Sequence, residues 1–231
     1  MKKIAIITAR GGSKRIPRKN IKNFCGKPII VYSIEAALNS AIFDEVMVST
    51  DDKEIVDIAR KAGAKIPFLR SQETSNDYAV TSDVIREVLM QYSKLGYNFN
   101  YGCCIYPTAP FVTADKLVHA MSIIKKRNVD TVMPVVSYSF PPQRAVVIRD
   151  GMVKMQFPEN LNERSQDLEP IYHDCGQFYM FNVDSFLKSG KLMGENVVPI
   201  IMNNLEVQDI DNLEDWKIAE IKYKVLYGEK K

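Results

Sequence analysis

"KIAIITARGGSKRIPRKN", residues 3–20, runs from an apolar stretch of strand character into a loop with two adjacent glycines and five cations. A helix signal follows: Gly26 breaks the chain, Pro28 suits an opening turn, and Ile30, Ile34, Ala37 and Leu38 recur at helical spacing. Strand, glycine turn and helix make the first half of a βαβ unit, and the chain repeats the pattern. Further strand-like runs are "EVMVST" (45–50), "KIPFL" (65–69), "YGCCIYP" (101–107) and "TVMPVV" (131–136). Helices are predicted over about 52–62, 81–94 and 114–127, the first with Gly63 at its end. This alternation predicts an α/β protein with helices on both faces of a mostly parallel sheet.

The pattern lapses over about 137–175, where Asp150-Gly151 marks a hairpin between Pro-rich and charged segments. The expected organisation is one domain over residues 1–231, with this excursion inserted as a lid or dimerisation arm. Strands resume at "GQFYMF" (176–181) and "NVVPIIM" (196–202), and a last helix starts near Leu213.

Charge localises the chemistry. The net charge is +3, but nine of the 31 basic residues lie in residues 1–34, where there is no acid, leaving the rest at −6. A basic region this confined suits a small anionic ligand and argues against a nucleic-acid or membrane partner. Only six uncharged residues separate Lys3 from Arg10, too few for a secretory core, and no run reaches the ~20 apolar residues of a membrane span. Cys25, Cys103, Cys104 and Cys175 form no C-x-x-C pair, so they read as reduced thiols of a cytoplasmic protein, without structural zinc.

The glycine loop spells neither the P-loop G-x-x-x-x-G-K-[ST] nor the dinucleotide G-x-G-x-x-G. It offers Gly11-Gly12 backbone for close approach to an anion, the Ser13 hydroxyl, and Arg10, Lys14, Arg15, Arg18 and Lys19 for charge. An arginine fork grips two phosphate oxygens, whereas lysine acts as a point charge. Near the other end, "LEVQDIDNLEDW" (205–216) puts Asp209 and Asp211 on one side of an extended segment, their Cα atoms about 6.5 Å apart. Two carboxylates completed by water and phosphate suit magnesium on a nucleoside triphosphate. The competing reading is that Asp211 or Asn212 only caps the last helix.

With these residues in view, the chain resembles the cytidylyltransferases that activate nine-carbon or eight-carbon acidic sugars, the CMP-sialic acid synthetase family. Its "ARGGSKRIPRKN" fits that family's A-R-G-G-S-K-x-[IL]-P-x-K-N signature. The likeness continues through "VSTDD" (48–52), "FLRSQETSNDYAVTSDVI" (68–85), "YPTAPF" (106–111), "ERSQDL" (163–168) and "DIDNLEDW" (209–216), nearly the whole chain. "PPQRAV" (141–146) and "RSQDLEPIYHDCGQFYMF" (164–181) resemble the subgroup whose acceptor is pseudaminic acid. Cys175 and Met180 depart from that subgroup's usual Ala and Trp, beside the acceptor pocket the resemblance implies.

The resemblance implies a Rossmann-like nucleotide-diphospho-sugar transferase fold that moves CMP from CTP to a sugar acid. It assigns Arg10, Gly12, Ser13, Lys19 and Asn20 to the triphosphate and part of the nucleoside. Arg70, Asp77, Ala79 and Thr81 take the base and ribose side, and Asp209 and Asp211 bind Mg2+. Tyr106, Gln143 or Arg144, Arg164, Ser165, Gln166 and Gln177 face the sugar acid, some of them across a homodimer interface. Arg10, Lys19, Asp209 and Asp211 carry the chemistry.

Other readings stay open beside these: a sialic, legionaminic or Kdo-type acceptor, or a nucleotide-binding protein without turnover. Asp51 or Asp52 reads as the cap of the helix starting at Lys53, Asp77 as a turn residue, and the Arg70 stem as packing along the sheet edge. Ser165, His173 and Asp174 invite a hydrolase triad, which the lack of a nucleophile elbow excludes.

Overall fold

The computed structural model describes residues 1–76 and 78–228. The opening stretch forms strand β1 (Lys3–Thr8), then the basic loop, a small ribbon of β2 (Asn23–Phe24) and β3 (Lys27–Pro28), and helix α1 (Ile29–Asn39). Next come β4 (Glu45–Ser49), α2 (Lys53–Lys61), the one-turn α3 (Gln72–Ser75), α4 (Thr81–Lys94), β5 (Tyr101–Ile105), α5 (Ala114–Arg127) and β6 (Thr131–Ser137). The excursion holds β7 (Val146–Arg149), β8 (Met152–Met155) and β9 (Tyr172–Asp174). The chain ends with β10 (Phe178–Asn182), α6 (Val183–Ser189), β11 (Val197–Ile201) and α7 (Leu213–Tyr227).

The main sheet has the order β11-β6-β10-β5-β1-β4. Strands β11, β6, β5, β1 and β4 share one direction; β10 runs against both neighbours, and β9 pairs antiparallel with the end of β6. The mostly parallel sheet is therefore as expected, with β9 and β10 as its reversed members.

Alternation along β1 sorts the two layers. Ala5 and Ile7 face one core with Ile30 and Ile34 of α1, Ile55 and Ala59 of α2, and Leu117 and Ile124 of α5. Ile4 and Ile6 face the other, with Ile85, Val88 and Tyr92 of α4 and Phe186 of α6. Each fully buried aliphatic side chain contributes about 1.5–3 kcal/mol.

The sequence reading places α4 and α5 at their observed bounds. It fails at 65–69, where Lys65 alone bridges Met47. Pro67 lacks the N–H the next rung of the ladder needs, so pairing stops at Lys65 and the rest of the segment follows the sheet edge. The short α3, β9 and α6 carry too little periodicity to be read ahead. No helix among the described residues is long and apolar enough to cross a membrane, and all four cysteines are unpaired thiols, three of them buried.

A third, smaller core sets up the site. Ile16 of the basic loop and Ile210, between the two aspartates, are both 1% exposed and pack with Phe24, Ile29, Phe111 and Trp216. Their burial draws together two segments almost two hundred positions apart.

Candidate active site

Strand β1 is flanked by β4 on one side and β5 on the other, so the crossovers from it diverge. In open α/β sheets such a switch point leaves a crevice at the carboxyl ends of the strands. There a cavity of about 640 Å³ is lined by Thr8, Arg10, Ser13, Lys14, Arg15, Lys19, Asn20, Thr81 and Tyr106, among others. A smaller cavity of about 150 Å³ shares Thr8, Arg10 and Thr81 and adds Arg70, Ala79 and Val84. The phosphate-side and nucleoside-side candidates thus meet around Arg10. Asp77 lies outside the described residues.

The loop is held from behind by the end of β4. Gly11 N–H donates to Asp51 Oδ1 at 2.9 Å, and Ser13 N–H turns back to the Gly11 carbonyl at 3.0 Å. A Cβ on Gly11 would lie 2.7 Å from Asp52 Oδ2, whereas one on Gly12 would meet nothing within 4 Å. The spatial constraint therefore falls on Gly11. Asp52 caps α2 through the Glu54 and Ile55 N–H groups and also pairs with Arg18, so it cannot readily yield. Gly11→Ala is expected to destabilise the protein by about 1–3 kcal/mol through overpacking, read as a lower urea midpoint; Gly12→Ala should change it little.

These anchors also revise the charge argument. Arg18 is satisfied inside the protein by Asp52 and Glu54, which raise its pKa, so it does not await an external anion. The Asn20 side chain is buried, and its Nδ2 donates to the Arg10 carbonyl at 2.9 Å; it fixes Arg10 as well as lining the cavity. Arg10 in turn donates to the Asn76 carbonyl at 3.3 Å. Arg70 is 8% exposed, with Nε on Ser49 Oγ and Nη2 on the Ser49 carbonyl. Desolvation lowers its pKa to about 10, so it stays charged at neutral pH.

Asp209 and Asp211 do not line the cavity itself; Asp211 meets it through Arg15 and Lys19, and the caps decide between its two readings. Asn212 is the N-cap of α7: its side chain accepts from the Glu214 and Asp215 N–H groups, and Asp215 returns a bond to Asn212 N–H. Asp211 is left facing the basic loop, with Oδ1 2.8 Å from Arg15 Nη2 and 3.9 Å from Lys19 Nζ. Lys19 Nζ also donates to the Ile210 carbonyl at 2.6 Å. Burial lowers the Lys19 pKa against the opposing pull of Asp211 and Asp209. Asp209 is shifted up, first by desolvation and then by Asp211, with Lys19 opposing. A carboxylate whose proton affinity is raised by burial and by a neighbouring carboxylate fits a divalent cation as charge relief. No group of three or more such ligands occurs among the described residues, so the donor set suits a cation that shares its shell with phosphate and water.

Of the sugar candidates, only Tyr106 lines this cavity; burial raises its pKa, and its hydroxyl lies 3.4 Å from Thr81 Oγ1. Gln177 is 1% exposed and acts as a strut: its carbonyl accepts from Tyr106 N–H at 2.9 Å, and its Nε2 donates to the Glu206 carbonyl at 2.6 Å. The remaining five lie on the excursion and line none of this cavity. Arg144 and Ser165 line a separate cavity with Tyr138 and Phe140, and Gln166 an adjoining one. Gln143 Nε2 donates to the Glu169 carbonyl, Arg144 Nη1 to the Glu163 carbonyl, and Arg164 pairs with Asp167. Cys175 and Met180 are both core residues, and neither lines this cavity. Ser165, His173 and Asp174 form no triad: His173 Nδ1 meets the Asp174 carbonyl, and the Asp174 carboxylate is taken by Gly176 N–H and Tyr179.

Known proteins share this architecture. A family model described as "Cytidylyltransferase" matches residues 4–182. The pseudaminic acid cytidylyltransferase of Campylobacter jejuni subsp. jejuni serotype O:2 is 40% identical over 97% of either chain. The CMP-N,N'-diacetyllegionaminic acid synthase of Legionella pneumophila is 34% identical over 95% of either chain. Among solved structures, CMP:2-keto-3-deoxy-manno-octonic acid synthetase complexed with CTP superposes with a TM-score of 0.69 at 17% identity, covering 96% of this chain and 98% of that one, a likeness of fold. By the extent of the family match and of these identities, the chain belongs to the cytidylyltransferase family and is a CTP-using nucleotidyltransferase.

Proposed function

We propose that the enzyme transfers CMP from CTP to the anomeric hydroxyl of pseudaminic acid, releasing pyrophosphate. The observation that carries the reading is the joint burial of Ile16 and Ile210, which sets a basic loop against a carboxylate pair at the ends of β1 and β5. The choice of acceptor rests on the pseudaminic acid relatives and on the 164–181 motif.

CTP would lie with its base and ribose toward Arg70, Ala79 and Thr81 and its phosphates over Arg10, Ser13 and Lys19. Asp209 and Asp211 would hold Mg2+, whose chemistry is to neutralise phosphate charge and polarise the α-phosphate. Arg10 and Lys19 face the charge that grows on the departing pyrophosphate, and they are oriented beforehand by Asn76, Asn20 and the Ile210 carbonyl. In-line attack at phosphorus needs positioning and charge stabilisation, and no covalent enzyme intermediate.

Residues 1–231 would form one nucleotidyltransferase domain, with 137–175 as its arm. The arm carries Gln143, Arg144, Arg164, Ser165 and Gln166 away from the cavity of its own chain and exposes Phe140, Ile148 and Val153. A homodimer in which each arm completes the sugar site of the other accounts for both facts. The setting is cytoplasmic, in keeping with four unpaired thiols.

The test is a pyrophosphate-release assay crossing CTP, UTP, GTP and ATP with pseudaminic, sialic, legionaminic and Kdo acids. CTP with pseudaminic acid should give the highest kcat/KM. A preference for another acid would reassign the acceptor, and no release with CTP and any acid would remove the catalytic reading.

A further inference from the structure

The basic loop is bonded to the Asp211 carboxylate by an arginine at the variable position of the family signature. Arg15 occupies the variable position between Lys14 and Ile16, yet its Nη2 donates to Asp211 Oδ1 at 2.8 Å and it lines the main cavity. The two cations at this oxygen differ. The Lys19 side chain is 21% exposed and tied to the Ile210 carbonyl, whereas that of Arg15 is 68% exposed. Open ion pairs contribute about 0.2–1 kcal/mol, so this one holds the guanidinium in place without locking it.

We propose that Arg15 is a place-holding cation that exchanges partners: it neutralises Asp211 until a divalent cation takes the carboxylates, then passes to the phosphate chain. The inference rests on the metal reading of Asp209 and Asp211. A doubly charged ion on Asp211 outcompetes and repels the guanidinium. The Arg15 stem starts beside Ser13 and Lys14 on the cavity wall, so the displaced fork stays within reach of phosphate oxygens, which it fits two at a time. Metal and triphosphate binding then assist each other: metal alone meets a competitor at Asp211, and triphosphate gives that competitor another acceptor. The coupling is reciprocal by linkage.

The experiment uses the full chain. Mn2+ binding without nucleotide is measured by electron paramagnetic resonance, and CTP binding by calorimetry with and without Mn2+. The proteins are wild type, Arg15→Gln, Arg15→Lys and Asp211→Asn. Arg15→Gln should tighten Mn2+ alone by up to about fivefold, the worth of an open ion pair, while weakening CTP and reducing the coupling between the two. Arg15→Lys should stay near wild type for Mn2+ alone and fall between wild type and Arg15→Gln for CTP, since it keeps the charge and loses the fork. Equal Mn2+ affinity in wild type and Arg15→Gln, or none in either, overturns the exchange; if Asp211→Asn still abolishes Mn2+ binding, the metal reading survives. Mn2+ binding that persists in Asp211→Asn removes the metal reading and the exchange with it.

Discussion

Asp211→Asn should lower kcat by on the order of a thousandfold, the several kcal/mol a bound cation supplies to phosphoryl transfer, and leave the thermal midpoint within a few degrees of wild type. The two effects separate because the cap of α7 belongs to Asn212 and Asp215. The substitution keeps the size of the side chain and gives up only the charge that faces Lys19 and Arg15. Steady-state kinetics beside a thermal melt reads both quantities. Near-wild-type kcat would withdraw Asp211 from the metal site.

Arg10→Ala should weaken CTP binding by about 10- to 100-fold, the 1.5–3 kcal/mol of hydrogen bonds to a charged group, and slow turnover as well. Arg10 is the one cation lining both the larger cavity and the smaller one around Arg70 among the cavities described. A loss in binding and in rate together marks a contact made before the transition state and kept through it. Arg18→Ala provides the comparison: it removes equal charge from the same loop, but its guanidinium belongs to Asp52 and Glu54. Its CTP affinity should hold while stability falls. Equal losses in the two variants would mean that the loop acts through its summed charge.

Much of the candidate site was legible because the chemistry of the loop is local. Arg10, Ser13 and Lys19 sit within ten residues, and the strand before them fixes where they emerge. Asp211 was ambiguous in sequence because Asp and Asn are equally good caps and each has an acid three residues on, Glu214 or Asp215; the fold uses Asn212 with Asp215, which completes a capping box. Gly11 could not be separated from Gly12, since the difference is the approach of Asp52 from another strand connection. Asp51 and Asp52 divide anchor and cap between them, and adjacency alone cannot assign the parts.

The excursion was found, but its contacts were not. Gln143, Arg144, Arg164, Ser165 and Gln166 follow a motif yet line none of the cavity beside Arg10, and one-chain spacing carries no information about what they face. Cys175 and Met180 interrupt a motif beside the acceptor pocket that the resemblance implies. Both are buried in the core. The fold itself was legible wherever alternation was strict, as in β1 with α4 and α5, and was lost where Pro67 removed the ladder.

The central claim is that the basic loop and the aspartate pair hold one metal-bound triphosphate. A crystal of the enzyme with CTP and Mn2+, measured at the manganese absorption edge, tests it directly. The account predicts an anomalous peak between the Asp209 and Asp211 carboxylates and the α-phosphate, with the phosphate chain on Arg10, Ser13 and Lys19. CTP seated in the Tyr138–Ser165 cavity, or manganese bound away from both aspartates, would contradict it.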